Sequence, residues 1–231
     1  MSYIVASPGR TGSNFLVRYL IEYESLQNNI IYFKHIDFND NIEDSVKFIK
    51  KDNVIIHTHD VQSLLKQSFN TKKLILIRRN PVEITVSYYI AEETGTYNFL
   101  YQKDDKNIGA DRKEYIEKFH NTKFSIDESR FLRRLKYVLD WYIDFNVLQD
   151  SIIFNYSESV DVNTINQKLD LNQNNIDTSN LVLTSLQPFN KWNKVENPEY
   201  FQNLGNKIFK QYQKKYPNIF IEEDFIIDSQ A

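Results

Sequence analysis

The stretch Ser7-Pro8-Gly9-Arg10-Thr11-Gly12-Ser13-Asn14-Phe15 lies between the apolar run Tyr3-Ile4-Val5-Ala6 and an amphipathic run that begins at Phe15. An apolar strand that leads through a short glycine-containing turn into a helix is a geometry with which proteins bind phosphate or sulfate. The first amides of a helix lack intrahelical partners and point outward with the positive end of the helix dipole. The stretch therefore predicts an anion-binding turn.

The residues of this turn suit an anion. Gly9 and Gly12 can adopt backbone angles closed to other residues, so that several amides converge on one ligand. Arg10 adds a permanent forked charge, and Thr11 and Ser13 add hydroxyl donors. The turn is not the nucleoside-triphosphate loop G-x-x-x-x-G-K-[ST], because its glycines are too close and Ser13 stands where that spacing requires lysine. A purely structural turn is the alternative interpretation.

The composition of the 231-residue chain, 41% hydrophobic and 14% aromatic, is typical of a globular protein. The net charge of −3 indicates neither a nucleic-acid surface nor a membrane surface, so an anion site must be local. The chain has no cysteine, which excludes disulfides, thiolate nucleophiles and cysteine zinc sites. Because the N-terminus lacks a signal-peptide pattern and no apolar run approaches the roughly 20 residues of a membrane span, we expect a cytoplasmic protein.

Three further apolar runs have the length of buried strands in a parallel sheet: they are Asn53 to His59, Lys73 to Ile77 and Ser151 to Tyr156. Helical periodicity or helix-start signals occur before, between and after these runs, at residues 16–23, 43–51, 61–69, 81–93, 125–145, 160–171 and 198–216. The alternation predicts one α/β domain over residues 1–231, three-layered, with a central parallel sheet flanked by helices and similar to P-loop nucleotide-binding folds. Residues 28–40 show no clear period.

Two helix starts have recognisable signals. Asn80 is a predicted N-cap followed by Pro81 at the first helical position, and Ser125 with Glu128 forms a predicted capping box. Between these helices, residues 94–124 form an irregular insertion. It is either a solvated loop or a flap that covers an acceptor site.

Polar side chains end the second and third predicted strands. Ligands of open parallel sheets bind at the carboxyl ends of strands, which places His57 and His59 where chemistry is expected. The two histidines share one face of the strand, since alternate residues point to opposite sides. They can also be read as a pair of metal ligands, although two histidines alone are thin support. His35 and His120 have no such context, and we expect them at the surface.

The segment KLILIRRNPVEITVSYYIA, Lys73 to Ala91, resembles the 3′-phosphate-binding segment of sulfotransferases that use 3′-phosphoadenosine 5′-phosphosulfate (PAPS). In that family an apolar strand leads to an Arg-Asp/Asn-Pro-like sequence and to a serine eight positions after the arginine. Arg79-Asn80-Pro81 and Ser87 match this spacing. The resemblance implies that Arg79 and Ser87 hold the 3′-phosphate; the alternative is a surface arginine at a helix start and an uninvolved serine.

Three other segments resemble the same family in the same order. Arg10-Thr11-Gly12-Ser13 is similar to its 5′-phosphosulfate loop, and Ile56-His57-Thr58-His59 to the strand end that carries the catalytic base. Phe154-Asn155-Tyr156-Ser157-Glu158 resembles the strand near the adenine. The Arg-Lys-Gly closing loop of many members is absent; Phe189-Asn190-Lys191-Trp192 resembles the Lys/Arg-Trp segment of other branches.

The resemblance implies a role for each matched residue. His59 would be the general base, for which the ordinary histidine pKa of about 6.5 is suitable; a hydrogen-bonded core histidine is the alternative. Arg10 would stabilise charge on the leaving oxygen, where many relatives have lysine, and His57 would support the sulfuryl group or face away. The donor would contact a set of residues along the chain: Gly9, Arg10, Thr11, Gly12, Ser13, Asn14, Arg79, Ser87, Tyr156, Lys191 and Trp192. Trp141, Trp192 and Tyr156 would stack on adenine or belong to the core.

The resemblance thus implies a PAPS-dependent sulfotransferase that acts on a hydroxyl or amine of a small-molecule or glycan acceptor and releases adenosine 3′,5′-bisphosphate (PAP). Fixed cations and amides can supply the electrostatics, so no metal is required in principle. We expect no nucleic-acid or membrane partner, and the sequence gives no indication of oligomeric state. The alternatives are a P-loop kinase-like phosphotransferase, which lacks its lysine here, and a non-catalytic nucleotide-binding module.

Overall fold

A computed structural model of the chain describes residues 2–29, 31–36, 47–48, 50–60, 64, 72–94, 122–146, 148, 151–172 and 191–221. The strands in these ranges are β1 (Tyr3–Ala6), β2 (Tyr32–Ile36), β3 (Val54–Thr58), β4 (Lys73–Arg78) and β5 (Ile152–Asn155). The α-helices are α1 (Ser13–Leu26), α2 (Pro81–Thr94), α3 (Glu128–Phe145), α4 (Val162–Leu169) and α5 (Pro198–Lys215). Several predictions lie wholly or largely outside the described residues: the helices at 43–51 and 61–69, the insertion at 94–124 and His120.

The five strands form one parallel sheet in the order β2-β3-β1-β4-β5. This confirms the predicted α/β class, a parallel sheet flanked by helices in three layers. Strands β1 and β3 are buried along their whole length, because a parallel sheet is covered on both faces and its central strands read as continuous apolar runs. Strand β2 lies at the sheet edge and was not predicted, since Lys34 and His35 interrupt its apolar residues.

The chain divides into two compact units. The first comprises Met1–Arg79, Asp140–Val182 and Glu223–Phe225, and the second comprises Asn80–Leu139, Leu183–Glu222 and Ile226–Ala231. In the first unit, the apolar faces of α1 and α4 pack on the sheet through Phe15, Leu16, Leu20, Ile165 and Leu169. No helix in the described ranges has both the length and the apolar character needed to cross a bilayer.

The two predicted helix starts have different outcomes. The side-chain Oδ1 of Asn80 accepts a hydrogen bond from the amide of Val82 at 2.9 Å, which confirms Asn80 as the cap of α2. The predicted capping box is wrong. Helix α3 begins at Glu128, and Oδ1 of Asp127 accepts the amide of Arg130 at 2.7 Å. Asp127 immediately precedes the helix and is as good a cap as serine, so it takes the role predicted for Ser125.

Gly205 lies in tightly packed surroundings in the second unit. A Cβ atom at this position would stand 2.6 Å from Cγ1 of Val82 and 3.3 Å from Cζ of Phe131. In an open helix, Gly→Ala stabilises by roughly 0.5–1 kcal/mol, whereas overpacking a core costs about 1–3 kcal/mol. We expect Gly205→Ala to lower the free energy of unfolding, measured by urea denaturation, and expect Gly205→Ala with Val82→Ala to lose less than the sum of the single changes. A more stable Gly205→Ala protein would contradict this packing.

Candidate active site

The loop between β1 and α1 has the backbone of an anion-binding turn. Gly9, Arg10 and Gly12 have positive φ angles of 85°, 56° and 76°, and a non-glycine residue such as Arg10 adopts this region uncommonly. Gly12 is the N-cap residue of α1, and as a glycine it has no side chain that could bind the first amides of the helix. The positive φ angle of Gly12 favours glycine, and a Cβ there would lie 3.0 Å from Cε2 of Tyr156, so the tyrosine ring would have to shift by a few tenths of an ångström.

The polar residues Thr11, Ser13 and Asn14 of the loop differ in their surroundings. Thr11 is completely buried, and its hydroxyl Oγ1 has no hydrogen-bond partner among the described residues. Buried hydroxyls are normally hydrogen-bonded, so an unpartnered one in an anion-binding turn indicates a ligand position. Ser13 begins α1, and Asn14 follows it in the first helical turn. That turn contains no acidic residue that would compete with an anion.

His57 lies directly beneath this loop. It is 1% exposed, and its Nε2 lies 2.8 Å from Oγ of Ser13. Its other ring nitrogen, Nδ1, lies 3.0 Å from Nδ1 of His35, which is its register partner on β2. Burial, and then the neighbouring His59 and His35, hold the pKa of His57 well below its usual range. His57 is therefore neutral and bound to the loop. The expectation of a surface position without context is wrong for His35, which is only partly exposed and contacts His57.

His59 follows the end of β3 and has a defined tautomer. Its Nδ1 lies 2.8 Å from the carbonyl oxygen of Ser7. A carbonyl can only accept, so Nδ1 carries the proton and Nε2 carries the lone pair. The backbone carbonyl of His59 in turn accepts a hydrogen bond of 2.7 Å from Nε1 of Trp141. The side chain is thus oriented by the loop and its backbone by α3, which is the arrangement a general base needs.

Arg79 connects the end of β4 to the same loop. Its Nη1 donates to the carbonyl oxygen of Arg10 at 2.9 Å, and its guanidinium lies 4.2 Å from the ring centroid of Tyr156. The hydroxyl of Tyr142 accepts from the backbone amide of Arg79 at 3.1 Å and donates to its carbonyl at 3.3 Å. The structure therefore brings together Arg10, Arg79 and Tyr156, three residues that the sequence assigns to the donor.

A family model described as Sulfotransferase domain matches residues 2–148. The chain belongs to this family. The match includes the loop, the histidine-bearing end of β3 and the Arg79 segment, and it ends before Tyr156, Lys191 and Trp192. No curated protein matches the chain. The chemistry of this sulfotransferase is accordingly transfer of a sulfuryl group.

Three predicted donor ligands of the sulfotransferase lie in the second unit. Nζ of Lys191 donates to Oγ of the buried Ser87 at 2.6 Å, which joins two residues that are far apart in sequence. Trp192 is buried, and its Nε1 donates to Oε1 of Glu83 at 2.5 Å. The roles of Ser87, Lys191 and Trp192 in donor binding stay predictions.

Two supporting residues of the sulfotransferase were not predicted as such. Trp141 and Tyr142 are neighbours on α3 and hold the backbone of His59 and Arg79, respectively. Trp141 is buried and stacks on Phe145 with a centroid distance of 5.2 Å, so the core alternative holds for this tryptophan. Nothing in the sequence indicates which backbone groups these two side chains bind.

Proposed function

We propose that this sulfotransferase transfers the sulfuryl group of PAPS to a hydroxyl or amine acceptor and releases PAP. The observation that carries the proposal is the contact of Arg79 with the loop: its guanidinium donates to the carbonyl of Arg10 and covers the ring of Tyr156. The anion-binding turn suits one phosphate of a nucleotide, and the fixed cation beside it suits a second phosphate. The aromatic face suits the base.

The loop also fits the sulfated end of the donor. Its positive-φ backbone, the opening of α1 and the buried Thr11 hydroxyl, for which the described part of the chain offers no partner, all favour a tetrahedral anion. Oγ of Ser13 is oriented by His57 at 2.8 Å. PAPS, when bound, supplies the sulfuryl group and the bisphosphate that leaves with it.

The chain's own residues supply the remaining chemistry. Nε2 of His59 takes the proton of the acceptor group, while Nδ1–H keeps its hydrogen bond to Ser7. Arg10 neutralises charge that develops on the leaving oxygen, and Arg79 binds the 3′-phosphate. Ser87 is retained as a 3′-phosphate ligand from the motif spacing alone. The cytoplasmic location also stays a prediction from the sequence.

A thermal-shift series with PAP, adenosine 5′-monophosphate and Mg-ATP tests donor specificity. A ligand at 100 times its Kd stabilises a protein by about 2.7 kcal/mol, so saturating PAP should raise Tm clearly and adenosine 5′-monophosphate should raise it less. A rise with Mg-ATP and none with PAP would favour a kinase-like phosphotransferase. Incubation with PAPS and a panel of phenols, saccharides, lipids and peptides then measures PAP release; binding without release identifies a non-catalytic module.

A further inference from the structure

Three of the four histidines of the chain meet at one corner of the sheet. His35 is the penultimate residue of β2, His57 is the penultimate residue of β3, and His59 directly follows β3. One ring nitrogen from each lies within 4.8 Å of the others, and the ring centroids are 4.7, 4.8 and 5.2 Å apart. The rings are inclined to one another by 64–78°, so they meet edge to face instead of stacking.

These distances match a set of metal ligands. Imidazole nitrogens bind Zn²⁺ at roughly 2.0–2.1 Å in tetrahedral sites, which places two such nitrogens about 3.3 Å apart and their ring centroids about 5.2 Å apart. The observed Nδ1–Nδ1 distance between His35 and His57 is 3.0 Å, and the three centroid distances are close to the tetrahedral value. An ion between the rings would therefore require side-chain shifts of only a few tenths of an ångström for the His35–His57 pair. The His59 ring would move further, since the three nitrogens lie within 4.8 Å of one another and the tetrahedral separation is about 3.3 Å.

The outer contacts of two of these rings are those that metal-bound histidines use. A ligating histidine almost always donates its second ring N–H to an oxygen atom, which fixes the tautomer. His59 donates Nδ1–H to the carbonyl of Ser7, which leaves the lone pair on Nε2. Nε2 of His57 lies 2.8 Å from Oγ of Ser13, so a proton on Nε2 donates to this hydroxyl and leaves the lone pair on Nδ1.

We propose that His35, His57 and His59 form a binding site for one divalent transition-metal ion of the Zn²⁺ class. Nδ1 of His35, Nδ1 of His57 and Nε2 of His59 are the ligands, and a water molecule or an anion takes the fourth position. Three imidazoles without a thiolate favour Zn²⁺, Co²⁺, Ni²⁺ or Cu²⁺ over Ca²⁺ or Mg²⁺. Binding moves the proton shared by the two Nδ1 atoms to the far nitrogen of its ring.

Metal binding at this site would block turnover, a consequence that rests on the proposed function. The Nε2 lone pair of His59 cannot bind a metal ion and at the same time take the proton of the sulfuryl acceptor. The metal-loaded protein is therefore the inactive form, and a chelator restores turnover. Metal binding itself does not depend on the donor or the acceptor, so it is measured separately from sulfuryl transfer.

Calorimetric titration with Zn²⁺, and visible absorption with Co²⁺, test the site on untagged, chelator-treated full-length protein. We expect one equivalent to bind, with a Co²⁺ spectrum of four-coordinate intensity. His35→Ala and His35→Gln should weaken Zn²⁺ by more than the roughly 10–100-fold that loss of a supporting partner costs. His120→Ala, which removes the fourth histidine, should bind as the natural chain does and is the matched control.

His35 is preferred for substitution because it lies on the edge strand and is only partly buried, whereas His57 is fully buried. Circular dichroism and the thermal-unfolding Tm without ligand check that each variant is folded. Absence of saturable binding to the natural chain, unchanged affinity in both folded His35 variants, or loss of binding in His120→Ala would overturn the proposal. A failure of PAP to bind would leave the metal titration unaffected.

Discussion

Replacement of His59 by alanine is expected to lower kcat by roughly 10²–10⁴-fold, the range that a positioned general base contributes. The change removes Nε2, whose lone pair is fixed by the 2.8 Å hydrogen bond from Nδ1 to the carbonyl of Ser7. PAP binding should be largely retained, because the loop amides, Arg10 and Arg79 are unchanged. The measurement is PAP release from PAPS with an acceptor identified in the panel, beside calorimetric titration with PAP.

His59→Asn separates proton transfer from support of the loop. The asparagine amide can donate to the carbonyl of Ser7 as Nδ1 does, but it has no group that accepts a proton near neutral pH. We expect His59→Asn to be as inactive as His59→Ala. If it recovers most of kcat, His59 is a positioning residue and the base is elsewhere; an unchanged kcat in the alanine protein would remove His59 from the mechanism.

Replacement of Arg79 by alanine is expected to weaken PAP roughly 10–100-fold more than it weakens adenosine 5′-monophosphate. Hydrogen bonds to charged groups contribute about 1.5–3 kcal/mol each, and only PAP carries the 3′-phosphate. The guanidinium is already held by the carbonyl of Arg10 and the ring of Tyr156, so little side-chain entropy is lost on binding. Calorimetric titration of both nucleotides gives the difference directly.

Arg79→Lys provides the matched control for charge. Lysine keeps the positive charge but lacks the planar fork that contacts both the Arg10 carbonyl and the Tyr156 ring. We expect an intermediate loss of PAP affinity. Equal weakening of PAP and adenosine 5′-monophosphate in Arg79→Ala would show that the arginine supports the loop in general and does not recognise the 3′-phosphate.

The parts of this fold that could be predicted have strong local signals. The run Tyr3 to Ala6 is apolar and short, and the glycines after it leave few alternatives to a turn that opens a helix. Asn80 and Pro81 likewise occupy the two positions where their side chains stabilise a helix start. In these segments the conformational preference of each residue agrees with the backbone structure that it adopts in the fold.

The parts that could not be predicted depend on contacts distant in sequence. Strand β2 pairs on one side only, so its Tyr-Phe-Lys-His-Ile sequence lacks the continuous apolar character of a central strand. Without β2 in the sheet, the sequence gives no reason to place His35 beside His57. The hydrogen bonds of Trp141 and Tyr142 to the backbone of His59 and Arg79 are hidden for the same reason, since they span 82 and 63 residues.

The buried indoles give the protein two natural optical reporters. The chain has two tryptophans, and each compact unit contains one of them: Trp141 in the first and Trp192 in the second. Trp141 donates to the backbone of His59, and Trp192 donates to Glu83. In a Trp192→Phe protein all indole fluorescence comes from the residue that holds the proposed base. Its emission then reports on that strand end in real time, and the Trp141→Phe protein does the same for the second unit.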